Sequence, residues 1–593
     1  MASPRRIQFL RLGVMGIVAL ALIKYMYRSS PPQITHRVKL ENTEDFFWGA
    51  NAEDLVHPLI RDLPPEPPHM DEIVAQPKLK IVEGKIPVKD FSHIEMKLVH
   101  LDLKGAPPKL SYYEQLFPLL SKLGANGLLI EYEDMFPFTG ELEILKSPYA
   151  YSEDDLKKIL HFAEHNNLEV VPLVQTFGHM EYILKHDKYR GLREVERYPN
   201  SLNPHNAETL PLVKMILTQV LEKHPMSSWV HIGSDEVFHL GEGQDSKSWL
   251  NSNKGDLGKM FFSHLKSVVD FIHTQFPEKN QLMWDDMLRK LSIQNIQASG
   301  ITEYVSPVLW LYHGNFDMAQ TESYISKYEE SGFTNIWFAS AFKGASGPAQ
   351  MWTPMNEHVK NHEEWKKVIN NMSKFPKIHY SGIALTGWQR YDHYSVLCEL
   401  LPVGIPSLAV CLKTLKDGQF TEEAKKDTAL LLGFGSIDVE KNICEGTGAF
   451  PGSEIYTMVK KIHSELKRKA REVTEEDSDI NGWFSRYNRA HRFGNPHKME
   501  KFRAKILKTN EELESQIQAL RSQLDSIYFP DTVEEWMEEN VNLHMDALRQ
   551  MAKDFQEILP LNAQPKGNSG WRQEKMKLLQ KHIALFITYL TQF

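Results

Sequence analysis

The stretch Trp229-Val-His-Ile-Gly-Ser-Asp-Glu-Val237 is a short apolar run that ends in two adjacent carboxylates. Trp229, Val230 and Ile232 read as a buried strand, and Gly233-Ser234 as the break that releases the chain from its sheet. Asp235 and Glu236 are then delivered where the strand exits. Acidic residues at the carboxyl end of a barrel strand serve chemistry more often than stability. Two carboxylates in unlike surroundings can also split their pKa values, one keeping a proton while the other stays charged. The pair alone is weak evidence, because 77 Asp and Glu in 593 residues give roughly ten acidic dipeptides by chance, most on solvated helix faces. Its surroundings give it weight.

Those surroundings are an alternation of strands and helices from about Lys97 to Tyr391. Besides the run above, the apolar segments are Leu98–Leu103, Gly127–Tyr132, Val170–Gln175, Gln281–Asp286, Pro307–Tyr312, Asn335–Ser340 and Gly382–Trp388. Amphipathic stretches such as Asp154–Ala163 and Leu212–Leu217 lie between them. Strands without polar alternation are buried on both faces, which means a parallel sheet covered by helices. About eight such units over roughly 300 residues fit a (β/α)8 TIM barrel better than an open doubly wound sheet. No Gly-x-Gly-x-x-Gly follows the first strand and no Walker-type loop occurs, which disfavours dinucleotide and NTP chemistry.

The strand ends carry side chains suited to a sugar. Asp102 and Lys104 close the first, Glu131 to Asp134 the second, and Gln175-Thr-Phe-Gly-His179 the third. Trp284-Asp-Asp286 closes the fifth, Trp310 with Tyr312 the sixth, and Trp388-Gln-Arg-Tyr-Asp392 the eighth. Trp and Tyr faces pack on the C–H faces of a pyranose, while carboxylates and His bind its hydroxyls. A single Trp is more often core, but three around one barrel mouth point to a binding wall. Asp286 reads as a cap of the following helix.

His231-Ile-Gly-Ser-Asp-Glu236, Gln175-Thr-Phe-Gly-His179, Ile130-Glu-Tyr-Glu-Asp-Met-Phe-Pro137 and Leu385-Thr-Gly-Trp-Gln-Arg-Tyr391 resemble glycoside hydrolase family 20 and, within it, the hexosaminidase D type. The resemblance spans the barrel and extends more loosely into the C-terminus. It implies an exo-β-N-acetylhexosaminidase that removes terminal GlcNAc or GalNAc by a retaining, substrate-assisted route, in which the sugar's acetamido oxygen is the nucleophile. It assigns Glu236 as acid and then base, and Asp235 as the group that orients the acetamide. His179, Trp284, Trp310, Tyr312, Trp388, Arg390 and Asp102 are the expected substrate-binding residues, with no cofactor and no metal. Many relatives carry an Arg at the end of the first strand, where this chain has Asp102-Leu-Lys104, so Lys104, Asp102 or Arg390 must substitute. The seventh strand lacks the usual Tyr and Asp, which leaves Tyr312 or Tyr391 for the acetamide contact.

Two other functions compete. A metal hydrolase on His179, His231, Asp235 and Asp285 has no His-x-His or His-Glu-x-x-His spacing behind it. A non-catalytic glycan-binding protein on the same fold is the alternative, since fold does not guarantee activity. With a net charge of −9 and no basic stripe, nucleic acid is not an expected partner.

Residues 1–28 read as a signal-anchor-like hydrophobic segment, with basic residues flanking Leu12–Ile23. That reading gives a single-pass type II membrane protein facing the ER/Golgi lumen or the cell surface; the alternative is a cytoplasmic or nuclear enzyme. Residues 29–90, with Pro31-Pro32, Pro64-Pro65 and Pro67-Pro68, read as a stalk. The barrel is expected over 91–418, its last helix over Tyr394–Leu415, and a helical C-terminal domain over 419–593. Three cysteines, Cys398, Cys411 and Cys444, read as buried thiols. Phe502, Ile506, Leu513, Ile517, Leu520, Leu524 and Ile527 form a coiled-coil-like seam. It either packs on Val533–Ile558 as a hairpin, the favoured reading, or pairs two chains as a homodimer.

Overall fold

The computed structural model describes residues 94–563. Eight parallel strands form a closed barrel: β1 (Met96–Asp102), β2 (Gly127–Glu131), β3 (Glu169–Leu173), β4 (Trp229–His231), β5 (Asn280–Trp284), β6 (Val305–Trp310), β7 (Asn335–Lys343) and β8 (His379–Gly387). Each pairs with its sequence neighbour, and β1 closes on β8 in the register Met96↔Gly382 to Val99↔Leu385. All eight lie where unbroken apolar runs placed them. The helices that cover the barrel are α1 (Leu110–Leu123), α2 (Glu153–His165), α3 (Thr209–Glu222), α4 (Leu257–Gln275), α5 (Ile293–Ser299), α6 (Met318–Ser331), α7 (Met355–Asn370) and α8 (Leu401–Asp417).

Alternation along each strand divides the core. Leu98, Leu129, Val171, Leu282, Val308, Trp337 and Ala384 fill the barrel, while neighbours such as Val99, Leu128, Val230 and Ile383 pack outward against the helices. The β3–β4 seam is the thinnest, with Leu173↔His231 as its single register pair. Backbone bonds extend β4 slightly on both sides: Val174 N–H donates to His231 O at 2.8 Å across the β3–β4 seam, and Ile232 N–H to Leu282 O at 2.8 Å across the β4–β5 seam. The chain therefore leaves the sheet early, just before Asp235.

α8 begins at Leu401, later than the expected Tyr394, because Pro402 occupies its first turn and favours that position. Beyond it, α9 (Glu422–Leu432) and α10 (Ser453–Lys461) lead to a long helix α11 (Pro496–Ile527), followed by α12 (Pro530–Met537) and α13 (Leu543–Ile558). The expected seam residues of α11 are all buried. Phe502 meets Phe555 of α13 with ring centroids 6.1 Å apart, and Arg549 bonds Glu514 at 2.6 Å. The seam is thus filled within one chain, and the homodimer reading is not supported. The helical region also joins the barrel: Lys109 N–H donates to Ile527 O at 2.6 Å.

One expectation is corrected. No helix among the described residues is long and apolar enough to cross a membrane, so the type II membrane reading is withdrawn. Leu12–Ile23 also falls short of the about 20 apolar residues that a span needs. Residues 1–28 and 29–90 themselves lie outside the described residues.

Candidate active site

Past β4 the backbone turns through left-handed conformations at Gly233 (φ 63°), Ser234 (φ 65°) and Glu236 (φ 44°), and His179 on the facing loop shares them (φ 52°). Non-glycine residues in this region cost energy and persist where their surroundings hold them, commonly at functional sites. Here the loop after β3 does the holding. Thr176 Oγ1 donates to Ile232 O at 2.7 Å and lies 2.9 Å from Ser234 Oγ. Gln175 Oε1 accepts the Ser234 N–H at 3.3 Å. The two loops touch so closely that a Cβ on Gly178 would sit 2.1 Å from Asp235 O, and one on Gly233 2.0 Å from Gln175 Oε1. From the short helix that follows β5, Asp286 Oδ2 accepts the Glu236 N–H at 3.1 Å.

Three titratable side chains meet there. His179 Nε2 lies 3.1 Å from Glu236 Oε2 and 3.5 Å from Asp235 Oδ2. The Glu236 side chain is 35% exposed against 9% for Asp235, so Glu236 faces the opening. Burial pushes Asp235 up to about 7 against the pull of His179, with Asp286 and Glu236 adding like charge. Burial also works to raise Glu236, but the hydrogen bond and charge of His179 outweigh it and hold this carboxyl below its usual value. Burial disfavours the His179 imidazolium, yet Asp235 and Glu236 keep its pKa well above the ordinary range. Burial lifts Asp286 to about 6. Asp235 Oδ1, Asp286 Oδ1 and His179 Nδ1 are buried and have no hydrogen-bond partner.

The expected aromatic residues form one contiguous cluster. Trp388 lies 5.9 Å from Trp284 and 6.5 Å from Tyr312, and Trp310 stacks on Tyr312 at 5.2 Å. Tyr312 is buried, and the charges of Asp235 and Glu236 help to raise its pKa. The Tyr391 hydroxyl accepts the Gly347 N–H of the loop after β7 at 2.8 Å. Of the two tyrosines, the structure brings Tyr312 to the carboxylates.

Asp102 and Arg390 are engaged by protein groups. Asp102 Oδ2 accepts the Gln389 N–H at 2.7 Å and Oδ1 accepts from Lys104 Nζ at 3.2 Å. Lys104 Nζ also lies 3.2 Å from Glu131 and 3.8 Å from Glu133, and this carboxylate ring keeps the buried ammonium charged. Arg390 donates to Lys104 O and Ser395 O and grips the Glu535 carboxylate with both terminal nitrogens. Its guanidinium is therefore spent within the protein.

The metal-hydrolase set does not assemble. Asp285 is bound by Arg289 and Tyr328, each at 2.6 Å, and His231 packs on Trp284 with Nδ1 accepting the Gly233 N–H at 3.0 Å. Glu133, Asp134 and His393 do bring ligand-type atoms together, but Lys185 Nζ already sits 2.8 Å from His393 Nε2 and 3.2 Å from Asp134. A groove of about 660 Å³ lies at the opposite end of the barrel, lined by α2 and the turn before β4.

Comparison with known proteins gives the family. Residues 114–330 match the model for the catalytic domain of glycosyl hydrolase family 20. The chain is 46% identical to hexosaminidase D of Homo sapiens over 464 residues, which covers 78% of this chain and 95% of that protein. The chain belongs to glycosyl hydrolase family 20. As a member of that family, of the hexosaminidase D type, it is a glycoside hydrolase, a β-N-acetylhexosaminidase. Hexosaminidase D of Bos taurus is 50% identical over 343 residues, 58% of this chain and 98% of that one. Among solved structures, the β-N-acetylhexosaminidase of Bacteroides fragilis NCTC 9343 matches at 15% identity and a TM-score of 0.42, over 57% of this chain and 70% of that one. Within this member, sequence reasoning missed Asp286 as the partner of the Glu236 backbone. Its Trp-Asp-Asp context at a strand end was a signal, but a helix cap prefers the same residue type.

Proposed function

We propose that this hexosaminidase removes terminal β-linked N-acetylhexosamine with retention, using the substrate's own acetamide as nucleophile. One observation carries the reading: Asp235 Oδ1 is buried, lacks any donor, and belongs to the carboxylate beside Glu236 and His179. Buried polar atoms are rarely left unpaired, and an acetamide N–H is the donor this oxygen lacks. In this reading the acetamide oxygen attacks C1 while Glu236 protonates the leaving oxygen, giving an oxazolinium that Asp235 stabilises. Glu236 then takes a proton from water as the water attacks C1, returning the β-configured sugar. Holding the acetamide in attack geometry supplies several kcal/mol of the rate enhancement, and the Asp235 charge adds to it. Trp284, Trp310, Tyr312 and Trp388 wall the sugar.

Before substrate binds, the proton is in the wrong place for this chemistry, since Asp235 is the more basic carboxyl. His179 offers the route. Its Nε2–H passes to Glu236, and the Asp235 proton refills Nε2, so one proton moves and the imidazole returns to its starting state. An acetamide bound to Asp235 drives the exchange, because it favours the ionised carboxylate.

The test is hydrolysis of aryl β-GlcNAc and β-GalNAc by the full chain, with the anomer of the first product read by NMR. Release of the β-anomer supports the reading. Release of the α-anomer, or tight binding of a thiazoline inhibitor with no turnover, overturns it.

A further inference from the structure

The Trp388 wall stands at the start of a loop, residues 388–400, that runs from β8 to α8. The barrel fixes its first residues. Lys343 Nζ donates to Trp388 O at 2.8 Å, and Asp102 receives the Gln389 N–H. Cys398 N–H closes the loop on Gln389 O at 2.9 Å, and Glu535 of α12, from outside the barrel, adds a second closure. Its carboxylate takes both terminal nitrogens of Arg390 and accepts the Leu397 N–H at 3.2 Å, so it closes the loop from Arg390 to Leu397. Arg390 Nε reaches on to Lys104 O at 2.9 Å, and Lys104 Nζ stands 5.0 Å over the Trp388 ring. The same loop carries His393, whose Nδ1 lies 3.1 Å from Glu133. The Arg390 and Glu535 side chains are 9% and 29% exposed. A planar guanidinium meeting a planar carboxylate, largely shielded from solvent, fixes orientation as well as distance.

We propose that Glu535 is a positioning residue of the active site: through Arg390, the C-terminal helical region sets the loop that carries Trp388, so that helices outside the barrel complete its sugar site. The inference rests on the reading of Trp388 as a wall of that site. It predicts a defect in sugar binding rather than in proton transfer, because Glu535 acts on the wall and touches neither Asp235 nor Glu236.

The experiment compares Glu535→Ala, Glu535→Gln, Arg390→Ala and the double alanine variant in the full chain, on an aryl N-acetyl-β-hexosaminide. Glu535→Ala is expected to raise KM about tenfold with kcat changed less than about threefold. Glu535→Gln, which keeps an acceptor for Arg390, should fall between it and wild type. The double variant should be no worse than the worse single one, as expected of two residues acting through one contact. Arg549→Ala, which breaks the ion pair to Glu514 inside the helical region, is the control and should leave KM unchanged. Hydrogen–deuterium exchange over residues 388–397 should rise in Glu535→Ala and not in Arg549→Ala. A Glu535→Ala KM within twofold of wild type, an equal KM rise in Arg549→Ala, or unchanged exchange in the loop overturns the proposal. If the wild-type chain turns over no N-acetylhexosaminide, the functional reading fails by itself, and the exchange measurement still decides whether Glu535 orders the loop.

Discussion

His179 Nε2 lies 3.1 Å from Glu236 Oε2 and makes a charged hydrogen bond with the side chain proposed as the acid. Glu236 must nevertheless carry a proton when the glycosidic bond breaks, so its contribution should depend on how badly the leaving group needs one. Glu236→Gln is expected to lower kcat/KM by about 10²–10⁴ for an alkyl N-acetyl-β-glucosaminide. The loss should shrink strongly for a 2,4-dinitrophenyl leaving group, which departs without protonation. Equal losses on both substrates would remove Glu236 from the acid role.

The shared proton gives a pH dependence of definite sign. Asp235 is raised to about 7, so the free enzyme keeps that proton below about pH 7 and loses it above. The kcat/KM profile, which reports the free enzyme, should therefore fall as pH rises through about 7. Asp286 is one of the like charges that raise Asp235. Asp286→Asn keeps an acceptor for the Glu236 N–H but removes that charge, so it should move the basic limb to lower pH. A limb that stays in place, or moves upward, would show that the proton is held elsewhere.

Much of this site was legible because its signals are local. Trp229–Val237 names its strand, its break and its carboxylates within nine consecutive residues, and each barrel strand is an apolar run long enough to read alone. What sequence reasoning misplaced depends on partners far along the chain. Arg390 looks like a sugar ligand at a strand end, but its partner Glu535 lies 145 residues away in a helix beyond the barrel. Asp102 similarly gives Oδ2 to the Gln389 N–H, a contact that exists only once β1 and β8 close the barrel.

The unpaired oxygen of Asp235 predicts selectivity for the acetamide. Asp235→Asn presents an N–H where the acetamide N–H needs an acceptor, and it removes the charge that opposes the oxazolinium. Turnover of N-acetyl substrates should fall by about 10²–10³, and affinity for a thiazoline inhibitor should fall with it. If the variant binds the inhibitor as wild type does, Asp235 does not contact the acetamide.

Gly178 tests the packing that aims the carboxylates. A Cβ there would meet Asp235 O at 2.1 Å and the Glu236 carbonyl carbon at 3.1 Å, and backbone atoms cannot swing aside as a flexible side chain can. Gly178→Ala must push the loop after β3 away from the Asp235–Glu236 turn. Overpacking of this kind costs about 1–3 kcal/mol, but the larger effect should be kinetic, since about 1 Å of misplacement near reacting groups can cost about 10² in rate. The variant should fold with a modestly lowered Tm while kcat/KM falls by about two orders of magnitude. Full activity in Gly178→Ala would mean that contact between these loops does not set the position of the acid.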